Sequence, residues 1–155
     1  MALVVEDGTG LSTAESYISV TNATTYLAAR RTTAQLATWT AADTAAKENA
    51  LRLAAQWLDT RYKDEWASWR FSDDQALDFP RSGVVIDGVA YETTEIPQQL
   101  IDATAELGLK VTDGDVLFDD MADEGTVGSK SIRVGPISEA TTYLGGSKGI
   151  KRYRL

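Results

Sequence analysis

Apolar positions recur along this chain with two periods, one helical and one alternating, and one long stretch obeys neither. The helical period is clearest over residues 40–62, where Lys47, Ala50, Leu51, Ala54, Leu58 and Tyr62 follow i, i+3/i+4 spacing, flanked by Ala46, Ala55 and Trp57. Thr40 is the expected N-cap, Asp43 suits the positive N-terminal end, and Arg61 and Lys63 suit the C-terminal end. An earlier helix is expected from Ser19 as cap through Val20, Ala23, Tyr26, Leu27 and Arg30. Thr21, Thr24 and Thr25 are indifferent helix formers, so packing has to support it. Residues 33–39 read as a short helical piece or connector. Ile96 and Pro97 open a further helix with Leu100, Ala103, Leu107 and Val111 on one face, Ile101 and Ala105 beside it, and an end near Asp113 and Gly114.

Alternation marks three shorter pieces. Residues 84–91 place two β-rich runs around Asp87 and Gly88, the signature of a hairpin. Residues 131–137 alternate like a short strand, and residues 2–5 read as a short apolar strand or anchoring arm that meets a turn at 6–10.

Residues 61–84, RYKDEWASWRFSDDQALDFPRSGV, have no simple period. They hold Trp66 and Trp69 with Phe71 and Phe79, and Trp57 lies one helical turn earlier. Each aromatic buries roughly 150–250 Å² when enclosed, so the stretch is expected to fold back onto the helices as a structural loop. Trp57, Trp66, Trp69, Phe79 and Pro80 are its expected core residues. The fold these elements predict is mainly α: a small helical bundle with a long aromatic loop, a β-hairpin and an extended C-terminal arm. Residues 1–124 would form the body and residues 125–155 the arm, which is not an independent domain.

Composition narrows the chemistry. The 155 residues include no cysteine and no histidine, which removes disulfides, thiolate metal sites, His-based triads and His-ligated zinc. The adjacent acids Asp73 and Asp74 carry no spacing that fixes two carboxylates across a cleft, so no enzyme is expected, and no cofactor or metal. The acidic run at 113–124 lacks the alternation and central glycine of a calcium loop and reads as solvated charge. Residues 125–131 have the wrong register for a phosphate-binding loop, because Ser129 separates Gly128 from Lys130. No apolar run approaches the ~20 residues of a membrane span, and the run at 2–5 is too short for a secretion signal. A soluble protein made in a cytoplasm is expected.

The net charge of −8 is unevenly placed. Residues 1–124 hold 9 Lys and Arg against 22 Asp and Glu, a net of −13, while residues 125–155 hold 6 against the single Glu139, a net of +5. The body repels nucleic acid and the arm seeks acidic partners. Tyr143, Lys148, Ile150, Lys151, Arg152, Tyr153, Arg154 and Leu155 combine spaced apolar residues with cations. They read either as an unstructured tail or as a docking arm. Arg61, Tyr62, Lys63, Trp66, Trp69, Arg70 and Phe71 interleave cations with aromatics as single-strand stacking platforms do. Asp59, Asp64, Glu65, Asp73, Asp74 and Asp78 surround them and oppose phosphate. The residues alone favour these aromatics as core, with Arg70 and Arg81 paired to neighbouring acids.

The order LDTRY, Trp66, QALDFPRSGV and an Ile-Pro-initiated helix, with the opening MALVVEDGTGLSTAESYISV and the later VGPISEATTY, resembles a tailed-phage family of head–tail adaptor (connector) proteins. Members of that family are often labelled DnaT-like single-stranded-DNA-binding proteins. The resemblance implies a structural virion protein at the neck, made in the bacterial host cytoplasm. It would form a ring of about twelve copies between the portal protein and the next tail-side connector or tail protein. DNA would pass through its acidic lumen without specific binding. The basic arm around residues 150–155 would dock on the portal. The same label implies an alternative, a DnaT-like protein that binds single-stranded DNA.

Overall fold

The computed structural model describes residues 2–115 and Leu117, and the backbone of residues 129–134 and 137–142. The chain divides into two units, Met1–Phe118 and Asp119–Leu155. In the first, four helices are joined by short strand pairs: α1 Val20–Arg30, α2 Ala37–Ala41, α3 Thr44–Tyr62, β1 Trp69–Arg70, β2 Arg81–Ser82, β3 Val85–Ile86, β4 Val89–Ala90 and α4 Gln98–Thr112. The second unit contains β5 Ser129–Val134 and β6 Ile137–Thr142. The described elements are thus mixed: four helices and three separate antiparallel strand pairs.

Ser19 caps α1 as its sequence predicts, accepting from the Asn22 N–H at 3.1 Å. The Thr24 and Thr25 hydroxyls donate to the carbonyls of Val20 and Thr21 one turn back, and Ala23 and Leu27 on the other side are fully buried. The long helix expected from Thr40 is broken. Ala42 is extended (φ −66°, ψ 141°), α2 ends before it, and Asp43 rather than Thr40 caps α3, accepting from the Ala46 N–H at 2.7 Å. The break lets α2 turn Trp39 inward. This is the largest fully enclosed side chain, and its indole donates to the Thr24 hydroxyl at 3.0 Å.

Helix α3 buries Ala50, Leu51, Ala54, Ala55 and Leu58, the alanine-rich stripe its periodicity predicts. Helix α4 is rotated from expectation: Leu100, Thr104, Ala105, Gly108 and Leu109 are buried, while Ala103, Leu107 and Val111 are half-buried. Two residues explain the difference. Thr104 satisfies its own hydroxyl on the Leu100 carbonyl at 2.8 Å, so a polar residue costs little inside. At Gly108 a Cβ would lie 2.8 Å from Leu51 Cδ2, so glycine sets how closely α3 and α4 approach.

The core has two parts along the α3–α4 pair. One gathers Ile18, Ala23, Leu27, Trp39, Leu51, Ala105 and Leu109 beneath α1 and α2. The other gathers Ala14, Tyr17, Leu58, Leu77, Phe79, Val84 and Leu100 beneath the aromatic loop. The hairpin forms as predicted, pairing Val85 with Ala90 and Ile86 with Val89. Its Asp87 and Gly88 have φ of 51° and 80°, the doubly positive turn that matches strand twist.

The N-terminal stretch is an anchored arm. Val5 bridges Ser16, and the buried Glu6 carboxylate accepts from the N–H groups of Gly8, Gly10 and Leu11 at 2.9–3.0 Å. Gly8, at φ +96°, lies against Thr94, where a Cβ would meet the carbonyl oxygen at 2.0 Å. Only glycine fits there.

In the second unit, β5 and β6 pair antiparallel from Ser129↔Thr142 to Val134↔Ile137. The expectation of one strand at 131–137 within an extended arm is corrected to a hairpin of two six-residue strands. The Gly-Pro pair at 135–136 is a turn signal that the alternation ran through. The acidic run beyond Asp115, the phosphate-loop lookalike at 125–128 and the docking residues Tyr143, Lys148, Ile150, Lys151, Arg152, Tyr153, Arg154 and Leu155 lie outside the described residues.

Candidate nucleic-acid interface

Residues 62–84 sort their aromatics into two sets. The inner set is a chain of ring contacts: Trp57 to Tyr62 at 6.2 Å, Tyr62 to Trp66 at 5.6 Å, and Trp66 to Phe79 at 5.1 Å, the first and last edge-to-face. Phe79 and Pro80 are buried, joined by a cis peptide, and Trp57 and Trp66 pack half-buried on the same cluster. Of the expected core residues, Trp57, Trp66, Phe79 and Pro80 are buried or half-buried. Trp69 is not. It is 68% exposed, and Phe71, two residues on, is 43% exposed.

The loop carries these two rings outward because its interior is occupied by polar side chains. Arg81, only 7% exposed, donates from Nε to the Ala67 carbonyl at 2.9 Å, from Nη2 to the Ser68 carbonyl at 2.6 Å, and from Nη1 to the Asp78 carbonyl at 3.4 Å. Gln75, 3% exposed, donates to the carbonyls of Leu77 and Pro80 and accepts from the Ser72 N–H. Arg70 donates to the carbonyls of Gln75 and Leu77 and stands 4.0 Å from the Asp78 carboxylate. The expectation that Arg70 and Arg81 pair with acids is corrected for Arg81, whose partners are all backbone carbonyls. A buried cation is tolerated when its donors are all used.

Strand geometry completes the placement. Trp69 pairs with Ser82 and Arg70 with Arg81, and the Phe71 N–H continues the pairing onto the Pro80 carbonyl at 3.1 Å. Residues two apart on a strand share a face, so Trp69 and Phe71 fall on one face, while Arg70, itself exposed, reaches from the other to the Gln75 and Leu77 carbonyls. Ser68, at φ +69°, bends the chain into this strand and donates to the Gly83 carbonyl at 2.6 Å. Each ring rests on a residue without a side chain: a Cβ on Gly83 would lie 3.5 Å from Trp69 Cη2, and one on Gly10 would lie 3.2 Å from Phe71 Cδ1.

Behind the loop lies a buried polar node. The Tyr17 hydroxyl and the Asp78 N–H both donate to Asp59, at 2.6 and 3.0 Å, and the Phe79 N–H donates to the Tyr17 hydroxyl at 3.2 Å. Burial pushes the Asp59 carboxyl up to about 6, against the lowering effect of those hydrogen bonds. Burial, with the Asp59 carboxylate beside it, also pushes the Tyr17 hydroxyl above its ordinary value. The node ties the N-terminal arm, α3 and the loop together. Nothing in the spacing of Tyr17, Asp59, Gln75 and Arg81 marks them, because each acts through a contact distant in sequence or through its own loop's backbone.

The surroundings are acidic. Asp64, Glu65, Asp73 and Asp74 are exposed along the same loop, with Arg61 and Lys63 as the exposed cations at its start. Arg61 is 3.5 Å from Glu65. A ligand here gains its energy from ring faces more than from charge. Among the described residues no group of three or more acids is placed to hold a metal ion, and no helix is long and apolar enough to cross a membrane.

Comparison with curated proteins found no match, and comparison with solved structures found none. A family model spans the chain from residue 1 to residue 155, arm, aromatic loop and C-terminal segment alike, and by it this chain belongs to the family described as "Putative DnaT-like ssDNA binding protein".

Proposed function

We propose that the chain binds single-stranded DNA by stacking bases on Trp69 and Phe71. The observation that carries this reading is the exposure of two adjacent same-face aromatics on a loop whose remaining aromatics are packed inside. Neighbouring exposed aromatics of this kind are a feature of interaction surfaces. A base on each ring is worth about 1–3 kcal/mol, and every base has a face to offer, so recognition is tolerant of sequence. Paired bases in a duplex present no free face, which gives the preference for single strands. Family membership supports the same reading. The activity is binding rather than catalysis, and it needs no cofactor.

The test is fluorescence anisotropy of a labelled oligothymidylate with the full chain, beside Trp69→Ala, Phe71→Ala and a duplex of the same length. Binding weakened about tenfold or more by each substitution, with duplex bound poorly, is the expected result. Equal affinity across all three proteins would remove the stacking site.

A second reading, a head–tail adaptor in the virion neck, is favoured by one observation: the split between a −13 body and a +5 C-terminal segment. Copies arranged in a ring would present an acidic lumen that DNA slides past, and the basic segment would meet the portal or a tail-side protein. Sedimentation of the chain with portal rings tests it. Stoichiometric decoration supports the adaptor, and its absence with intact portal removes it.

A further inference from the structure

A second surface of the body has a defined shape. An open groove of about 380 Å³ runs between the N-terminal arm, the start of α1 and the residues leading into α4. Ile18, Ile96 and Ile101 are among its apolar lining residues, and the exposed Asp7 and Glu95 are the acids at its edge. No lysine or arginine lines it. The groove is held open from both sides. Glu6 spends its oxygens on the N–H groups of Gly8, Gly10 and Leu11, which fixes the arm. Gly8 is seated against Thr94, which fixes the arm to the opposite wall. A preformed apolar cleft with acids on its rim suits an extended segment that alternates apolar and basic side chains.

The chain itself contains such a segment. Residues 148–155, KGIKRYRL, place Ile150, Tyr153 and Leu155 among Lys148, Lys151, Arg152 and Arg154, with no acid. We propose that the groove receives this C-terminal segment from a second copy of the chain, apolar side chains against the isoleucines and cations against Asp7 and Glu95. The proposal does not rest on single-strand binding, and it gives the segment a destination within a homo-oligomer rather than on a different protein. Donor and acceptor lie on one chain, so the contact is head-to-tail. It closes a ring or extends a filament according to the rotation between copies.

Charge exchange between full-length chains tests it. One variant carries Asp7→Lys and Glu95→Lys, and the other carries Lys151→Glu, Arg152→Glu and Arg154→Glu. Sedimentation velocity is run from about 1 to 100 μM at low and high salt. The wild-type chain is expected to associate with concentration and to dissociate with salt. Each variant alone is expected to associate at least tenfold more weakly, and their mixture to associate again, because a basic groove then meets an acidic segment. Because Asp7 also accepts from Thr9, Glu95→Lys alone is run as the variant that leaves this turn intact. A wild-type chain that stays monomeric, variants that associate like wild type, or a mixture that stays dissociated would each overturn the proposal.

Discussion

The Tyr17 hydroxyl donates to Asp59 Oδ1 at 2.6 Å, joining two residues 42 positions apart in the chain. The same carboxylate holds the Asp78 N–H with its other oxygen. One side chain of α3 therefore fixes both the arm and the start of the Phe79–Pro80 segment.

Because burial raises Asp59 to about 6 from an ordinary value of 3.8, the folded state holds its proton more tightly than the unfolded state. The stability this group contributes is fully present below about pH 4 and is lost as pH rises through 6, a swing of about 2–3 kcal/mol. Asp7 and Glu15 are shifted the other way by their hydrogen bonds, so total stability is the wrong observable. Urea unfolding of wild type and Asp59→Asn at pH 4, 5, 6 and 7 isolates the term. The variant should gain on wild type steadily across that range, and a difference that does not move with pH would contradict the assignment.

Trp66 and Trp69 should separate stability from binding. Trp66 packs against Tyr62 and, edge-to-face, against Phe79, so Trp66→Ala is expected to cost about 2–4 kcal/mol of folding free energy. Trp69→Ala removes a mostly exposed ring and should cost under about 1 kcal/mol, while carrying the loss of single-strand affinity. Denaturant midpoints and anisotropy on the same two proteins decide the matter, and a large stability loss at Trp69 would mean that its ring is structural.

Arg81→Ala leaves the carbonyls of Ala67, Ser68 and Asp78 without their donor. The expected cost is about 3 kcal/mol, with Arg81→Lys recovering part of it because an ammonium cannot span three carbonyls with a planar fork. If Arg81→Ala unfolds at the wild-type urea midpoint, the loop is held by something else.

Gly8→Ala places a methyl 2.0 Å from the Thr94 carbonyl oxygen at a φ of +96°. Main chain cannot swing aside, so the arm has to lift, at a cost of about 2–3 kcal/mol. Hydrogen exchange should show faster exchange at Glu6 and Glu15, whose N–H groups bond across the arm to Ser16 and Val4. Unchanged exchange there would show that the arm is anchored elsewhere.

The helices were legible because their caps and stripes are local: Ser19, the alanine face of α3 and the Asp113–Gly114 stop all appear as their spacing predicts. The Asp87–Gly88 hairpin was legible for the same reason. Where reading went astray, a distant partner decided the outcome. Asp43 rather than Thr40 caps α3, and the break at Ala42 goes with a Trp39 indole bonded to Thr24, fifteen residues earlier. The buried face of α4 turned toward Thr104 and Gly108 because Leu51 comes close there. Hydrophobic count places Trp69 with the core because it cannot distinguish a ring facing in from one facing out. That choice is made by strand phase, which the buried Arg81 holds through the carbonyls of Ala67, Ser68 and Asp78. Of the candidate site, the aromatic and cationic residue types were visible in the sequence, and the sorting of rings into two sets was not.

The buried guanidinium of Arg81 has one more consequence. Because it gathers the loop by its main chain, the scaffold makes few demands on which side chains point away from it. Positions 69 and 71 can then be rewritten without renegotiating the core. A loop built this way separates what holds its shape from what it presents to solvent.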